Sequence, residues 1–143
     1  MNQSKAFLAS QNTLVLATTN PDSTPHATPL FYLVGDDLHL YWFSSLSSQH
    51  SKNLKRSPAV EAAVFRPTDD WRRIVGVQLR GNATLVTDTT LRNSLRKLYA
   101  EHFDLNIAVR AVMARCSLFV LRPCWIRYID NTKRFGYKFE ISL

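Results

Sequence analysis

The segment Ile74–Val86 restricts the possible folds of this chain most, because its pattern is that of one long β-strand. Apolar or small residues alternate along it with polar ones, the first set being Val77, Leu79, Gly81, Ala83 and Leu85 and the second Gln78, Arg80, Asn82 and Thr84. Strict alternation puts the two sets on opposite faces of a sheet, so one face belongs to a core. The chain is therefore expected to build a sheet around this strand.

Further strands are expected before and after this segment. They are short runs rich in β-forming residues, namely Thr13–Thr18, His26–Val34, Leu38–Phe43, Val60–Phe65, Arg115–Leu121, Trp125–Ile129 and Tyr137–Ile141. We expect the second of them to break at Pro29, since proline cannot donate to a strand ladder and marks an edge, a bulge or a point where a ligand meets the backbone. Turn-forming residues, as in Asn20–Pro25, separate neighbouring runs at hairpin spacing.

Three helices are expected between the strands. Ser4–Gln11 is short, and Ser47–Arg56 ends at Ser57–Pro58 because proline disfavours helix in the residue before it. A third helix, Thr89–His102, has Asp88 as its N-cap and leucines at positions 91, 95 and 98, which we expect to be buried. Strands at hairpin spacing with inserted helices predict a mainly β fold, a six- to seven-stranded antiparallel split β-barrel with short flanking helices.

Length and composition limit the class of protein. The 143 residues fit one domain (1–143), and 45% hydrophobic against 20% charged residues favours a packed core. No stretch approaches the roughly 20 apolar residues of a membrane span, and Met1–Ser10 lacks the apolar run of a signal peptide. Without an export signal, Cys116 and Cys124 are expected to stay reduced in the cytoplasm. The net charge of +7 leaves nucleic acid, an anionic surface or a phosphorylated ligand open as partners.

The stretch Ser44–Asn53 has the highest density of side chains that can bind a ligand. Four serines (44, 45, 47 and 48) stand between the end of a strand and the start of a helix, and His50 and Lys52 follow them. A phosphate group is bound by hydroxyls, by a cation and by the free backbone N–H groups of a helix N-terminus. A helix-capping loop with a solvated basic face explains the same residues, and the spacing does not separate the two interpretations.

This stretch resembles the phosphate-binding loop of the flavin-binding split-barrel superfamily of pyridoxamine 5′-phosphate oxidase. The matching features are a strand that ends in Ser44, Ser48 two residues before the basic His50, and the pairs Asn53-Leu54 and Ser57-Pro58. In that superfamily the loop binds the phosphate of FMN. The resemblance therefore implies FMN as the cofactor.

Other segments carry the same resemblance from about Thr13 to the C-terminus. Pro25–Tyr32 is similar to the second strand of the superfamily, whose backbone lines the isoalloxazine ring, and Gly76–Ala83 is similar to its fifth strand. Tyr128–Lys138 resembles the bacterial YhbP-type branch. The implied protein is a homodimer with FMN at the subunit interface, and the implied cofactor contacts are Ser44, Ser48, His50, Lys52, Thr28, Pro29, Leu30, Gln78 and Asn131.

Two departures from the superfamily matter for function. His50 replaces the usual phosphate-binding lysine, and Lys52 is a candidate substitute for it. The C-terminal Trp/Arg segment by which pyridoxamine-phosphate oxidases hold pyridoxal phosphate has no counterpart. The resemblance thus implies the fold and the flavin, and it does not imply pyridoxamine-phosphate oxidase activity.

Several single residues admit two interpretations. Gln78 is either a contact to the flavin across a dimer interface or an ordinary polar strand residue. Trp125 is either a rim residue of the pocket or a packing residue, and Asn131 belongs either to a pocket wall or to a hairpin turn. His26 and His39 have no carboxylate at relay spacing and are expected to be structural or exposed.

Two classes of function follow. The first is an FMN-dependent oxidoreductase acting on a small organic molecule, in which the cofactor supplies the redox chemistry. The second is a non-catalytic module on the same barrel that binds flavin, haem or nucleic acid. Neither a glycine-rich phosphate loop nor a nucleophile elbow occurs, which argues against a Rossmann domain and against nucleotide triphosphates.

Overall fold

The computed structural model describes residues 1–143, which form four α-helices, eight β-strands and one turn of 3-10 helix at Trp71–Arg73. In chain order the elements are α1 (Asn2–Ala9), β1 (Thr13–Thr19), β2 (Pro25–Phe31), β3 (Leu33–Val34), β4 (Leu40–Ser44), α2 (Gln49–Arg56), β5 (Ala59–Phe65), β6 (Val75–Leu85), α3 (Thr89–His102), α4 (Ile107–Met113), β7 (Ser117–Asp130) and β8 (Lys138–Ser142).

All strands belong to one sheet, in the order β2-β1-β5-β6-β7-β4-β3, with β8 also paired to β7. Every pairing is antiparallel. The two ends of this path, β2 and β3, are separated in the chain by the single residue Tyr32, so the backbone itself joins the edges of the curled sheet. This confirms the predicted mainly β split barrel, with seven strands longer than two residues and the two-residue β3.

The barrel is split because β7 is shared between two neighbours on one side. Its first half pairs with β4, from Ser117 to Leu121, and its second half pairs with β8, from Trp125 to Ile129. On its other side β7 pairs with β6 throughout, with a register shift at Gly81. A Cβ at Gly81 would stand 2.1 Å from the carbonyl oxygen of Arg122, so only glycine allows the two backbones to approach this closely.

The core lies inside the barrel and is built from the inward faces of the strands. Leu40 and Trp42 of β4 and Leu79 of β6 are fully buried there. A second, smaller cluster lies outside the sheet, where α3 and α4 cover β4 and the start of β7; Phe43 packs edge-on against Tyr99 in this cluster. Because β4 is covered on both faces, its end at Ser44 is held firmly in place.

The expected elements are present, with differences at β2, at β7 and in the additional helix α4. Asp88 caps α3, its carboxylate accepting a hydrogen bond from the N–H of Leu91, and the helix has the expected bounds. The predicted strand break at Pro29 is wrong: β2 runs through Pro29 and ends at Phe31. Proline is accommodated because β2 is the edge strand and needs no donor on its open side.

Two further expectations about the helical region are corrected. Leu91 and Leu98 are 36% and 51% exposed, because the face of α3 that packs inward is centred on Leu95 and Tyr99. The two-turn α4 was not expected, and β7 is one continuous strand where two were predicted. No helix is long and apolar enough to cross a membrane.

Candidate functional site

The turn between β4 and α2 leaves backbone donors free. Ser48 is the N-cap residue of α2, but its side chain makes no capping hydrogen bond. The N–H groups of Gln49, His50 and Ser51 have no acceptor within the chain, whereas the N–H of Lys52 donates to the carbonyl of Ser48. Three adjacent unpaired donors at a helix N-terminus are suited to bind an anion.

The hydroxyl of Ser48 is turned toward a cluster of polar side chains beneath these donors. Its Oγ lies 2.8 Å from the carbonyl oxygen of Ser45, to which it donates, and 2.7 Å from the Oγ of Ser51. The Nε2 of His50 lies 2.8 Å from the Oγ of Ser44 and 3.2 Å from the Oγ of Ser48. The structure thus brings Ser44, Ser48 and His50 together, as the sequence predicted.

His50 is buried, with 7% of its surface exposed. Burial, and then the nearby His26, lower the pKa of the His50 imidazole below its ordinary value. The side chain is therefore neutral at physiological pH and organises hydroxyl groups without supplying a positive charge. This differs from the lysine that the superfamily usually has at this position.

The free edge of β2 faces the same region. His26 and Thr28 share one face of β2, and the Nε2 of His26 lies 2.8 Å from the Oγ1 of Thr28. Sequence reasoning took His26 for a structural or exposed residue; the structure places it close enough to His50 to affect its pKa. No local signal reveals this neighbour, since 24 residues separate the two histidines and only the fold joins them.

The site lies beside two free strand edges. β2 pairs with β1 alone, and Trp42–Ser44 of β4 pair with β7 alone, so each strand has one free edge at this point. Leu30 and Thr28 are half-buried while Pro29 between them is exposed, as the alternation of β2 requires. A flat ring lying along β2 would therefore meet backbone atoms and the outward face of Pro29.

The helix that carries the free donors is anchored to the barrel by Asn53. The fully buried amide of Asn53 donates to the Oγ1 of Thr18 and to the Oδ1 of Asn20, both at 3.0 Å, and it accepts from Gln49 at 2.9 Å. These bonds fix α2 on β1, and the pair Asn53-Leu54 recognised in the sequence is thus a positioning element for the turn.

Lys52 lies apart from His50. Two residues along an α-helix correspond to a rotation of about 200°, so their side chains leave α2 on different faces. The Lys52 side chain lines a cavity of about 560 Å³ together with Lys55, on the side of the helix that faces the end of β6. The two basic residues proposed for the phosphate therefore do not converge on one point.

The remaining predicted contacts, Gln78 and Asn131, form no hydrogen bond with this cluster. Gln78 is on the outer face of β6, where its Oε1 accepts from Arg127 at 3.2 Å. Asn131 follows β7, whose other end pairs with Ser44, and a strand of this length spans roughly 40 Å. Its amide donates to the carbonyl of Trp71 and accepts from the N–H of Gly136, so it holds a turn.

Trp125 also lies on the outer face of the sheet. The guanidinium carbons of Arg80 and Arg127 stand 5.0 and 4.9 Å from its ring centroid, and the side chain is half-buried between them. Stacking between two guanidinium groups gives Trp125 a packing role on this surface. Together with Gln78 it lies on the outer face of the sheet, away from the core.

The donor set fits a phosphate group. Three free amides supply hydrogen bonds, and the positive end of α2 supplies a favourable field. The net positive charge of the chain adds to that field, although the buried His50 contributes none. FMN carries such a phosphate, and the residues present match the part of FMN that the turn would hold.

Comparison with known proteins agrees with this fold. The family model described as pyridoxamine 5′-phosphate oxidase matches residues 1–130, and the chain belongs to this family. No curated protein matches the chain by sequence.

Solved structures share the fold at low sequence identity. A conserved hypothetical protein from Mycobacterium tuberculosis, Rv2991, is 23% identical with a TM-score of 0.77, over 92% of this chain and 85% of that one. The haem storage protein HutZ from Vibrio cholerae is 19% identical with a TM-score of 0.71, over 85% and 88%. A haem-binding protein from Mycobacterium smegmatis is 21% identical with a TM-score of 0.75, over 99% of this chain but 58% of that longer one.

Proposed function

We propose that residues 1–143 form a single FMN-binding domain that acts as a flavin-dependent oxidoreductase in the cytoplasm. The observation that carries the proposal is the open N-terminus of α2, where three backbone donors lie free above the hydroxyl cluster. Membership of the pyridoxamine 5′-phosphate oxidase family supports flavin as the ligand whose phosphate occupies this place.

In this proposal the α2 turn holds the phosphate. The N–H groups of Gln49, His50 and Ser51 donate to its oxygens, while Ser44 and Ser48 are positioned beside it by His50. Lys52 adds positive charge near the turn from its separate face of the helix. Charge-assisted hydrogen bonds of this kind are the strong ones, so the donors of the turn dominate the affinity.

The isoalloxazine ring is proposed to lie along Thr28, Pro29 and Leu30 at the free edge of β2. Gln78 and Asn131 reach the cofactor only from a second subunit, because in the same subunit they lie away from the turn. A homodimer with the cofactor at the interface accounts for both placements. The YhbP-type branch remains the proposed position of the chain within the family.

When bound, the flavin would supply electron and hydride transfer to a small organic substrate. The chain binds and orients it, and the neutral His50 holds the side chains of Ser44 and Ser48 in the turn. No side chain at the site has the pairing of a catalytic acid and base. The proposed activity is therefore one in which the cofactor performs the chemistry and the protein provides its position.

The test is direct. The purified protein is inspected for flavin absorbance and then titrated with FMN, followed by addition of a reduced nicotinamide donor under anaerobic conditions. Saturable FMN binding and reduction of the bound flavin are expected. Absence of binding at high micromolar FMN would contradict the proposal that the protein binds flavin.

Haem is the second candidate ligand. Two proteins of the same fold carry haem binding or haem storage in their names. A parallel titration with haem, followed by the Soret band, separates the two: a stoichiometric Soret shift without FMN binding would replace the proposed oxidoreductase by a haem-binding module.

A further inference from the structure

The cavity that Lys52 lines lies on the opposite side of α2 from His50. It has a volume of about 560 Å³ and is enclosed by the outer face of α2, the end of β6 and the start of β7. Volumes of roughly 300–1,000 Å³ are typical of sites for small organic molecules. Ser51 lines this cavity, which therefore adjoins the hydroxyl cluster, whereas Ser44, Ser48 and His50 do not line it.

The floor and rim of the cavity are apolar. Leu54 and Phe119 form a floor that is almost fully buried, with 5% and 2% of their surfaces exposed. Leu46 and Leu85 stand at the rim with 58% and 47% exposed. Two leucines that remain in contact with water on either side of a concave apolar floor offer surface that an apolar ligand would cover.

The charged groups at this cavity are of one sign. Lys52 and Lys55 are three residues apart on α2 and so lie on neighbouring positions of the same face. Neither forms an ion pair, and no acidic side chain lines the cavity. Other cations of the chain do have carboxylate partners, as Arg80 has Glu61 and Arg127 has Glu140.

The position of Lys52 argues for a ligand. Basic residues in the last turn of a helix interact favourably with its dipole, and this accounts for Lys55. Lys52 lies in the first half of α2, where the dipole disfavours a cation, and the neighbouring ammonium group of Lys55 repels it further. An anionic group bound between the two lysines would remove both unfavourable interactions.

We propose that this cavity binds an amphipathic carboxylate, with its apolar body over Leu54 and Phe119 and its carboxylate between Lys52 and Lys55. The site requires both parts of such a ligand. Leu54 and Phe119 cover the hydrocarbon and offer no side-chain donor, whereas the two ammonium groups, with the hydroxyl residues Ser51 and Thr84 in the same lining, give the molecule its orientation. The proposal does not depend on FMN binding.

The test uses sodium decanoate as the probe and calorimetric titration of the whole protein as the measurement. We expect saturable binding of one decanoate per chain and at least about tenfold weaker binding in the double variant Lys52→Ala/Lys55→Ala. The matched control is Lys97→Ala/Lys138→Ala, which removes two exposed lysines that have no ion pair elsewhere on the surface. This control is expected to bind decanoate as the unmodified chain does.

The proposal would be overturned by a lack of saturable binding in the unmodified protein, by equal weakening in the control variant, or by equal affinity for the uncharged analogue decanol. Binding seen only on dilution to monomers would show that a second copy fills the cavity, and would also overturn it. Titration of the unmodified protein with both FMN and decanoate separates the two proposals, since decanoate binding without FMN binding contradicts the flavin proposal alone.

Discussion

The helices α2 and α3 begin in opposite ways. At α3 the carboxylate of Asp88 accepts a hydrogen bond from the N–H of Leu91, 3.0 Å away, and places a negative charge at the positive end of the helix. At α2 the hydroxyl of Ser48 is directed instead to Ser45 and Ser51, and all three N–H groups of the first turn stay free.

In the proposed function, this difference separates a helix start that serves stability from one that serves binding. Asp88 satisfies the N–H of Leu91 locally and supplies the negative charge that suits this end of α3. The α2 turn lacks that cap, and the bonds of Asn53 anchor its helix instead. We therefore predict that capping substitutions change FMN affinity at the start of α2 and the free energy of unfolding at the start of α3.

The largest effect is expected from Ser48→Asp, which gives α2 the type of cap that α3 has. A carboxylate within about 4 Å of the FMN phosphate costs roughly 4 kcal/mol at an effective dielectric of about 20. FMN binding should weaken about a hundredfold or more, measured by fluorescence titration. Ser48→Asn, neutral and similar in shape, is the control and should weaken binding less; equal losses in the two variants would contradict an anion at this turn.

A smaller loss of affinity is expected from Gln49→Pro. Proline is well tolerated at the first position of a helix, and Ser48 before it already has the extended backbone that proline requires (φ −66°, ψ 150°). The substitution removes one free N–H, worth about 1.5–3 kcal/mol when it bonds a charged group, or roughly tenfold or more in FMN affinity. Gln49→Ala keeps that N–H and should bind FMN more tightly than Gln49→Pro.

Removal of the α3 cap should change stability and leave binding intact. Asp88→Ala is expected to lower the free energy of unfolding by about 1 kcal/mol, because the N–H of Leu91 loses its acceptor. Urea unfolding followed by circular dichroism measures this change. FMN affinity is expected to be unchanged in the same variant. A loss of FMN binding would contradict the assignment of the phosphate site to α2 alone.

The smallest effect concerns pH and His50. The folded-state pKa of His50 is lowered below its ordinary value, so the unfolded chain binds the proton more readily. The stability that neutral His50 contributes is therefore present above about pH 6.5 and is lost as pH falls through the lowered pKa. Urea unfolding between about pH 8 and about pH 5 should show this loss, with a smaller dependence in His50→Gln.

Local patterns predicted much of the fold. The alternation of β6 and the Asp88 cap of α3 depend on neighbouring residues only, and both elements lie where they were expected. The break at Pro29 was wrong, whereas the edge position that Pro29 also indicated is confirmed, since β2 lies at the end of the sheet. The predicted burial of Leu91 and Leu98 was wrong because helical spacing does not reveal which side of α3 packs inward.

The candidate site could be predicted only in part. Ser44, Ser48 and His50 are close in sequence and came together as expected. His26 was missed because it reaches the site through the pairing of distant strands. Lys52 was grouped with His50 by its proximity in sequence, although the helix rotation separates them.

The most direct measurement is a comparison of FMN with riboflavin, which has the same ring system and lacks the phosphate. Both are titrated into the purified, unmodified protein under the same conditions. The account predicts that FMN binds at least about tenfold more tightly, since the free donors of the α2 turn act on the phosphate. Equal affinities for the two, or no binding of FMN, would contradict the assignment of this turn as the phosphate site.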